Sequence, residues 1–271
     1  MVTGSDIRQA LQALSLQGAT LCVHGSLRAF GAVEGGAQAV VDALVADGRT
    51  IMMPTFYYHS YQACAAERLI PRNGVETGSD PDPDAPPPIP YEPRNPAHID
   101  KSMGILPATL LRHPAALRGD HPLNAFAAVG PQADPLMASQ TPMDPYVPYR
   151  LLDENANAWI LLLGVGLDRT TPVHYGELLA GRGLFHRWGA YADGRVVETL
   201  VGSCSEGFPK LDPHVLDLET RHTVGAATWR LFPFHAFVHR IADVVAKNPD
   251  ITHCGDPDCA RCRDMVAGGP G

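Results

Sequence analysis

His174 and Glu177 stand three residues apart in the stretch Gly164-Val165-Gly166-Leu167-Asp168-Arg169-Thr170-Thr171-Pro172-Val173-His174-Tyr175-Gly176-Glu177. On a helix that begins at Pro172 with Thr171 as its N-cap, this spacing puts both side chains on one face of the first two turns. An imidazole held by a carboxylate can act as a general base, because the carboxylate orients the ring and stabilises the imidazolium formed in the transition state. The same pair is equally at home as an ion pair on an amphipathic helix. Location favours chemistry: Trp159 to Val165 is the strongest buried-strand signal in the chain, and open α/β sheets bind ligands beyond the carboxyl ends of their strands.

Three further constellations have chemistry-bearing residues at informative spacing. His24-Gly25-Ser26-Leu27-Arg28 follows a short apolar strand, Ala19 to Val23. There Ser26 and the backbone N–H groups after it can hold an anionic group such as a pyrophosphate; otherwise the segment is an ordinary turn. His121, held extended by Pro122, is a second candidate base. Near the C-terminus, Cys254, Cys259 and Cys262 with His253 offer three thiolates and an imidazole, enough for a tetrahedral structural zinc site. Neighbours such as His253 and Cys254 do not easily share one ion, so His214 or His222 could supply the fourth ligand, or the thiols could simply be free. His235 and His239 lack the His-Glu-x-x-His sequence and read as surface or core residues.

The elements that must position these groups alternate. A first helix carries Ile7, Leu11 and Leu14 at helical spacing, with Ser5 or Asp6 as cap. A second runs from Gly35-Gly36 through Val40, Val41, Leu44 and Val45 to an αL cap at Gly48, and Thr50 to Phe56 is the next strand. Eight prolines between Pro81 and Pro96 exclude regular structure, so Tyr57 to about Asp100 is expected to be a long loop bordering the active site. A helix over Met103 to Leu111, a strand over Leu123 to Val129, a hairpin turning at Asp193-Gly194 and a helix from Pro233 to Lys247 complete the pattern. The fold class is α/β, a layered α/β/α arrangement with a mainly parallel central sheet and a small antiparallel hairpin appendage. Residues 1–250 form a single domain, and 251–271 a C-terminal tail carrying the cysteines.

Composition narrows the partners. The chain has 271 residues, 45% hydrophobic and 18% charged, which describes a packed globular protein rather than a disordered one. A net charge of −8 argues against nucleic-acid binding and fits a cationic or neutral partner. Asp80, Asp82, Asp84 and Asp144, in or near loops, would attract such a cation. No apolar run is long enough to span a bilayer and no signal peptide is evident, so a cytoplasmic location with reduced cysteines is expected.

Six motifs in order resemble the aminoglycoside 3-N-acetyltransferases, the antibiotic N-acetyltransferase family. They are His24-Gly25-Ser26-Leu27-Arg28 with Phe30-Gly31 and Gly35-Gly36-Ala37; Met53-Pro54-Thr55-Phe56; Ser102-Met103-Gly104-Ile105-Leu106-Pro107; Asp120-His121-Pro122; Leu162-Leu163-Gly164-Val165-Gly166; and Thr171 through His174 to Glu177. The resemblance implies acetyl transfer from acetyl-CoA to an amine of an aminoglycoside, at the 3-amine, conferring resistance. It implies that Gly25 to Arg28 and Ser102 to Gly104 contact CoA, that His174 is the base with Glu177 as its partner, and that Thr171 or Thr170 donates to the developing oxyanion. It implies no metal for the reaction, and a monomer or homodimer. Departures are Gly25, where the family has a serine, and Tyr146-Val147-Pro148-Tyr149-Arg150 in place of a Gly-x-x-Ser-Pro stretch. The competing expectations are a CoA-dependent acyltransferase acting on another amine or amino-sugar of antibiotic biosynthesis, and a non-catalytic zinc-stabilised interaction module.

Overall fold

The computed structural model describes residues 1–76, 82 and 84–271. Helix α1 (Gly4–Ala13) starts from a reciprocal cap in which the Asp6 N–H donates to Thr3 Oγ1 and the Thr3 N–H to Asp6 Oδ2. The cap is therefore Thr3, not Ser5 or Asp6, and Asp6 is its N3 carboxylate. Strand β1 (Thr20–Gly25) runs through His24, which the sequence placed in a turn. Helix α2 (Gly36–Val45) ends differently from expectation too. Buried Arg49 donates from Nε to the Leu44 carbonyl (2.7 Å) and from a terminal nitrogen to that of Ala43 (2.9 Å), satisfying carbonyls that Gly48, further along, does not reach.

The chain continues as β2 (Thr50–Pro54), α3 (Ile105–Leu111), β3 (Leu117–Arg118), β4 (Phe126–Val129), α4 (Ala133–Ala138), α5 (Val147–Asp153) and β5 (Ala158–Leu163). After α6 (Pro172–Leu179) come the hairpin β6 (Phe185–Ala190) and β7 (Val196–Val201), a second hairpin β8 (Thr220–Val224) and β9 (Ala227–Pro233), then α7 (Phe234–Lys247) and α8 (Ala260–Val266). Seven strands form one sheet in the order β3-β4-β2-β1-β5-β9-β8, and β6-β7 stand apart as the expected antiparallel pair. β1 lies parallel to both β2 and β5, while the outer pairs are antiparallel, so that only β4 and β9 run against the other five.

Alternation along the central strands builds the layers. Leu21, Val23, Ile51, Met53, Leu161 and Leu163 join the apolar cluster that contains residues of α1, α2 and α3. Cys22, Met52, Ile160 and Leu162 join the opposite cluster, with residues of α4 to α7. Central strands buried on both faces are what near-continuous apolar runs encode. Tyr57 and Tyr91 of the long loop pack with Ala125 and Tyr191. Pro81 and Pro83 of the proline run lie outside the described residues.

Residues 251–271 are not a free tail. Asp264 Oδ2 accepts the N–H of Gly74 (2.9 Å), Arg72 donates to the carbonyl of Ala267 (2.7 Å), and Cys262 and Met265 are buried. No helix among the described residues is long and apolar enough to cross a membrane.

Candidate active site

The carboxyl ends of the three parallel strands open into one cleft of about 1150 Å³. Helix α2 joins β1 to β2 on one face of the sheet, whereas α4 and α5, which precede β5, pack on the other. The loops after β1 and β5 therefore diverge, leaving the crevice in which open α/β sheets bind ligands. Gly25, Ser26, Leu27 and Arg28 line it from one side, Ser102, Met103 and Gly104 from another, and Thr171 and His174 from the third.

His174 lies in the first turns of α6, where Nδ1 is 2.9 Å from Glu177 Oε2. The other carboxylate oxygen, Oε1, accepts from Arg182 (2.6 Å), and Arg182 in turn donates to Thr252 Oγ1 (2.7 Å) and to the Pro249 carbonyl (2.5 Å). Ser203 Oγ adds a longer contact to Glu177 Oε2 (3.4 Å). A buried carboxylate shared between a guanidinium and an imidazole takes a donor at Nδ1, which orients the ring and leaves Nε2 as the nitrogen for a ligand. Among the described residues Nε2 has no hydrogen-bond partner. The ring packs edge-on against Phe208, at 4.8 Å between centroids.

Two glycines shape the cleft by close approach. A side chain at Gly202 would place Cβ 2.8 Å from His174 Cγ and 2.6 Å from the Tyr146 hydroxyl. Gly202→Ala is therefore expected to push the ring off Glu177, lowering turnover by about 10-fold or more and costing about 1–3 kcal/mol of stability, measured by steady-state assay and thermal unfolding. Unchanged activity would show that the ring's position is not decisive. Gly25 explains the missing family serine, because a Cβ there would lie 2.8 Å from Leu163 Cβ.

Thr171 occupies the N-cap position but has helical φ/ψ and makes no capping bond, so its hydroxyl, in the cleft lining, is not consumed by the helix. Thr170 is buried, and its hydroxyl donates to the Gly166 carbonyl (3.1 Å). Both threonines line the cleft; the Thr171 side chain also contacts the Tyr149 hydroxyl, a bond it would exchange for one to a ligand.

His121 does not belong to the cleft lining. Its Nδ1 accepts the N–H groups of Leu123 (3.2 Å) and Asn124 (2.8 Å), and Nε2 lies 3.0 Å from the Leu200 carbonyl and 2.6 Å from Thr199 Oγ1. With both nitrogens engaged it has no lone pair for a substrate, so its part is to hold β7 against the turn before β4. Burial lowers its pKa to about 4, and burial likewise lowers that of His24 to about 3. An unfolded chain binds protons at these histidines below its ordinary histidine pKa, while the folded chain does not. Each therefore contributes stability that is complete above about pH 6.5 and is lost toward the folded pKa, at about 1.4 kcal/mol per pH unit. Melting temperature is expected to fall as pH drops through this window, and less steeply in His121→Asn; parallel curves for the two proteins would contradict the assignment.

The lining is richer in cations than the chain's net charge suggests: Arg28, Arg169, Arg187 and Arg261 against Asp168 and Glu206. Among the described residues, the acids expected to attract a cation are not in the lining. Asp144 pairs with Arg150 (3.1 Å), Asp82 and Asp84 are exposed outside the lining, and Asp80 lies outside the described residues. Tyr146 and Tyr149, from the segment that departs from the family pattern, are buried behind the cleft as a stacked pair. Of the three cysteines able in principle to carry an acyl group, burial pushes the Cys22 thiol up to about 12, Cys64 is not in the lining, and Cys204 lines the cleft.

The cysteines gather as Cys204, Cys254, Cys259 and Cys262, with ligand atoms within 4.8 Å of one another. His253 is not in the group; its Nδ1 accepts the Gly255 N–H (3.0 Å), and neither His214 nor His222 joins. Cys204 also lines the cleft, so the cluster borders the site instead of lying remote from it. His235 and His239 are surface residues paired with Asp153. Arg182 and Ser203 went unmarked in sequence, and Cys204 was not grouped with the other cysteines, because Ser203 and Cys204 meet partners far along the chain and Arg182 lies past the end of α6.

An α/β enzyme-like fold with a histidine–carboxylate pair at the mouth of its parallel strands is the class these features define. The family profile described as aminoglycoside 3-N-acetyltransferase matches residues 22–246, and the chain belongs to that family. It is 34% identical over 186 residues to aminoglycoside N(3)-acetyltransferase VIII of Streptomyces fradiae, covering 66% of this chain and 62% of that one. The matched stretch spans 53% to 62% of the length of the first curated relatives. Among solved structures, a mutant of aminoglycoside acetyltransferase AAC(3)-IVa in complex with gentamicin superposes with TM-score 0.75 at 25% identity, over 99% of this chain and 98% of that one. The fold is shared with AAC-IIIb, solved as a binary complex with CoASH, at TM-score 0.71 and 23% identity over 90% of this chain and 96% of that one.

Proposed function

We propose that this protein transfers the acetyl group of acetyl-CoA to an amine of an aminoglycoside, at the 3-amine, in one direct step assisted by a general base. The observation that carries the reading is the chain Arg182–Glu177–His174 at the cleft lining, which leaves one imidazole nitrogen without a hydrogen-bond partner among the described residues. Nε2 takes a proton from the substrate ammonium, and the freed amine attacks the thioester carbonyl. The N–C bond forms, the C–S bond breaks, and the departing CoA thiolate takes up a proton, leaving amide, CoA-SH and one net proton. Thr171 donates to the oxyanion between those events, a contact of about 3–4 kcal/mol where such donors have been removed. Ser26 and Arg28 on one side, with Ser102 on the other, offer donors to the phosphates and pantetheine of CoA. Acetylation removes a positive charge that aminoglycosides use to bind their target, which would make the reaction a resistance function.

Arg169, Arg187 and Arg261, the lining arginines other than Arg28, favour a second reading, in which the acceptor is a different amine metabolite that also carries an anionic group. A thiol-release assay with acetyl-CoA separates the two. Aminoglycosides as the best acceptors in a panel that includes amino-sugar phosphates and amino acids support the first reading; release with the anionic amines alone supports the second. No release with any amine would remove both.

A further inference from the structure

We propose that Cys204, Cys254, Cys259 and Cys262 bind one zinc ion as four thiolates, and that this ion fastens the cleft wall formed by residues 202–206. Three chain segments converge on the cluster: the strand exit after β7, the turn at Cys254, and the start of α8 at Cys259 and Cys262. A tetrahedral zinc with Zn–S of about 2.3 Å holds its sulfurs about 3.8 Å apart, within the 4.8 Å that encloses these four. All four cysteines are free, and the Cys254 N–H donates to Cys262 Sγ (3.3 Å). A cluster of several irons would need its thiolates further apart than one ion does, so the compactness selects a single metal centre. Four sulfur ligands leave no open position, which makes the ion structural and leaves the acyl chemistry to His174.

Two contacts give the ion its consequence. Cys204 follows Gly202, whose backbone abuts the His174 ring, and Ser203, whose hydroxyl reaches Glu177. Arg261, between two of the ligands, lines the cleft. Zinc binding itself does not depend on the acetyltransferase reading; only its effect on turnover does.

The test is elemental analysis of the full chain purified without chelator or added metal, expected to give about one zinc per chain. Titration with an organomercurial should release that zinc as four thiols react, and cobalt-substituted protein should show the intense visible bands of a tetrahedral all-sulfur site. Cys204→Ser should lose the metal, whereas His253→Ala should retain it. A zinc content below about half an equivalent, iron in place of zinc, a disulfide within the cluster of freshly trapped protein, or metal loss in His253→Ala with retention in Cys204→Ser would each overturn the proposal. The titration of the unaltered chain decides the matter even if Cys204→Ser fails to fold.

Discussion

Replacing His174 with alanine is expected to lower kcat for acetyl transfer by about 10²–10⁴-fold while leaving the KM for acetyl-CoA nearly unchanged. His174 lines the cleft with an imidazole nitrogen that has no hydrogen-bond partner among the described residues, and His121, the other candidate base, has both nitrogens engaged. Glu177 keeps Arg182 and Ser203 when the ring is removed, so the buried carboxylate is not stranded and the fold is retained. Steady-state kinetics at saturating acceptor measure the effect. A variant with full kcat would place proton transfer on bulk water or on another group.

At Glu177 two substitutions separate positioning from stability. Glu177→Ala strands the Arg182 guanidinium, which is almost wholly buried, and breaking a buried pair from one side costs about 3–5 kcal/mol. Thermal or denaturant unfolding should show that loss. Glu177→Gln should cost less, because the amide oxygen can still accept from Arg182. That orientation turns the amide nitrogen toward His174 Nδ1, which must then accept, so the proton moves to Nε2 and the free base is lost. Turnover is expected to fall by about 10²–10⁴-fold in Glu177→Gln, as when a base is held in the wrong tautomer. A Gln variant with near-normal turnover would show that the carboxylate serves the fold alone.

The His174–Glu177 pair was legible in sequence because its determinants are local: a buried strand, a proline at the first helical position and an i,i+3 spacing. The turns after β1 and around Ser102 were legible through resemblance, and both line the cleft. Arg182 was not, since it lies past the end of α6 and its other partners, Pro249 and Thr252, come from beyond α7. Cys204 escaped for a similar reason: it is fifty residues upstream of the other cysteines, with no second ligand beside it, while His253 drew notice only by adjacency. His121 misled because an extended backbone before proline says nothing about which groups a ring will meet. The β8–β9 hairpin was missed too, its alternation obscured by Arg221 and His222, which the edge strand β8 tolerates, and by Arg230 on the interior strand β9, where Glu219 and Asp212 accept from its guanidinium. Net charge was the weakest guide, for the acids lie largely outside a cleft whose lining is rich in arginine.

The most direct measurement follows thiol release from acetyl-CoA by the unaltered chain and by His174→Ala, with and without an aminoglycoside, and determines the product's mass and acetylated position. Release that requires the amine, a product heavier by one acetyl group on the 3-amine, and near-complete loss in the variant are the expected results. Amine-independent release, or an unmodified aminoglycoside in the presence of bound CoA, would contradict acetyl transfer to this acceptor at this site.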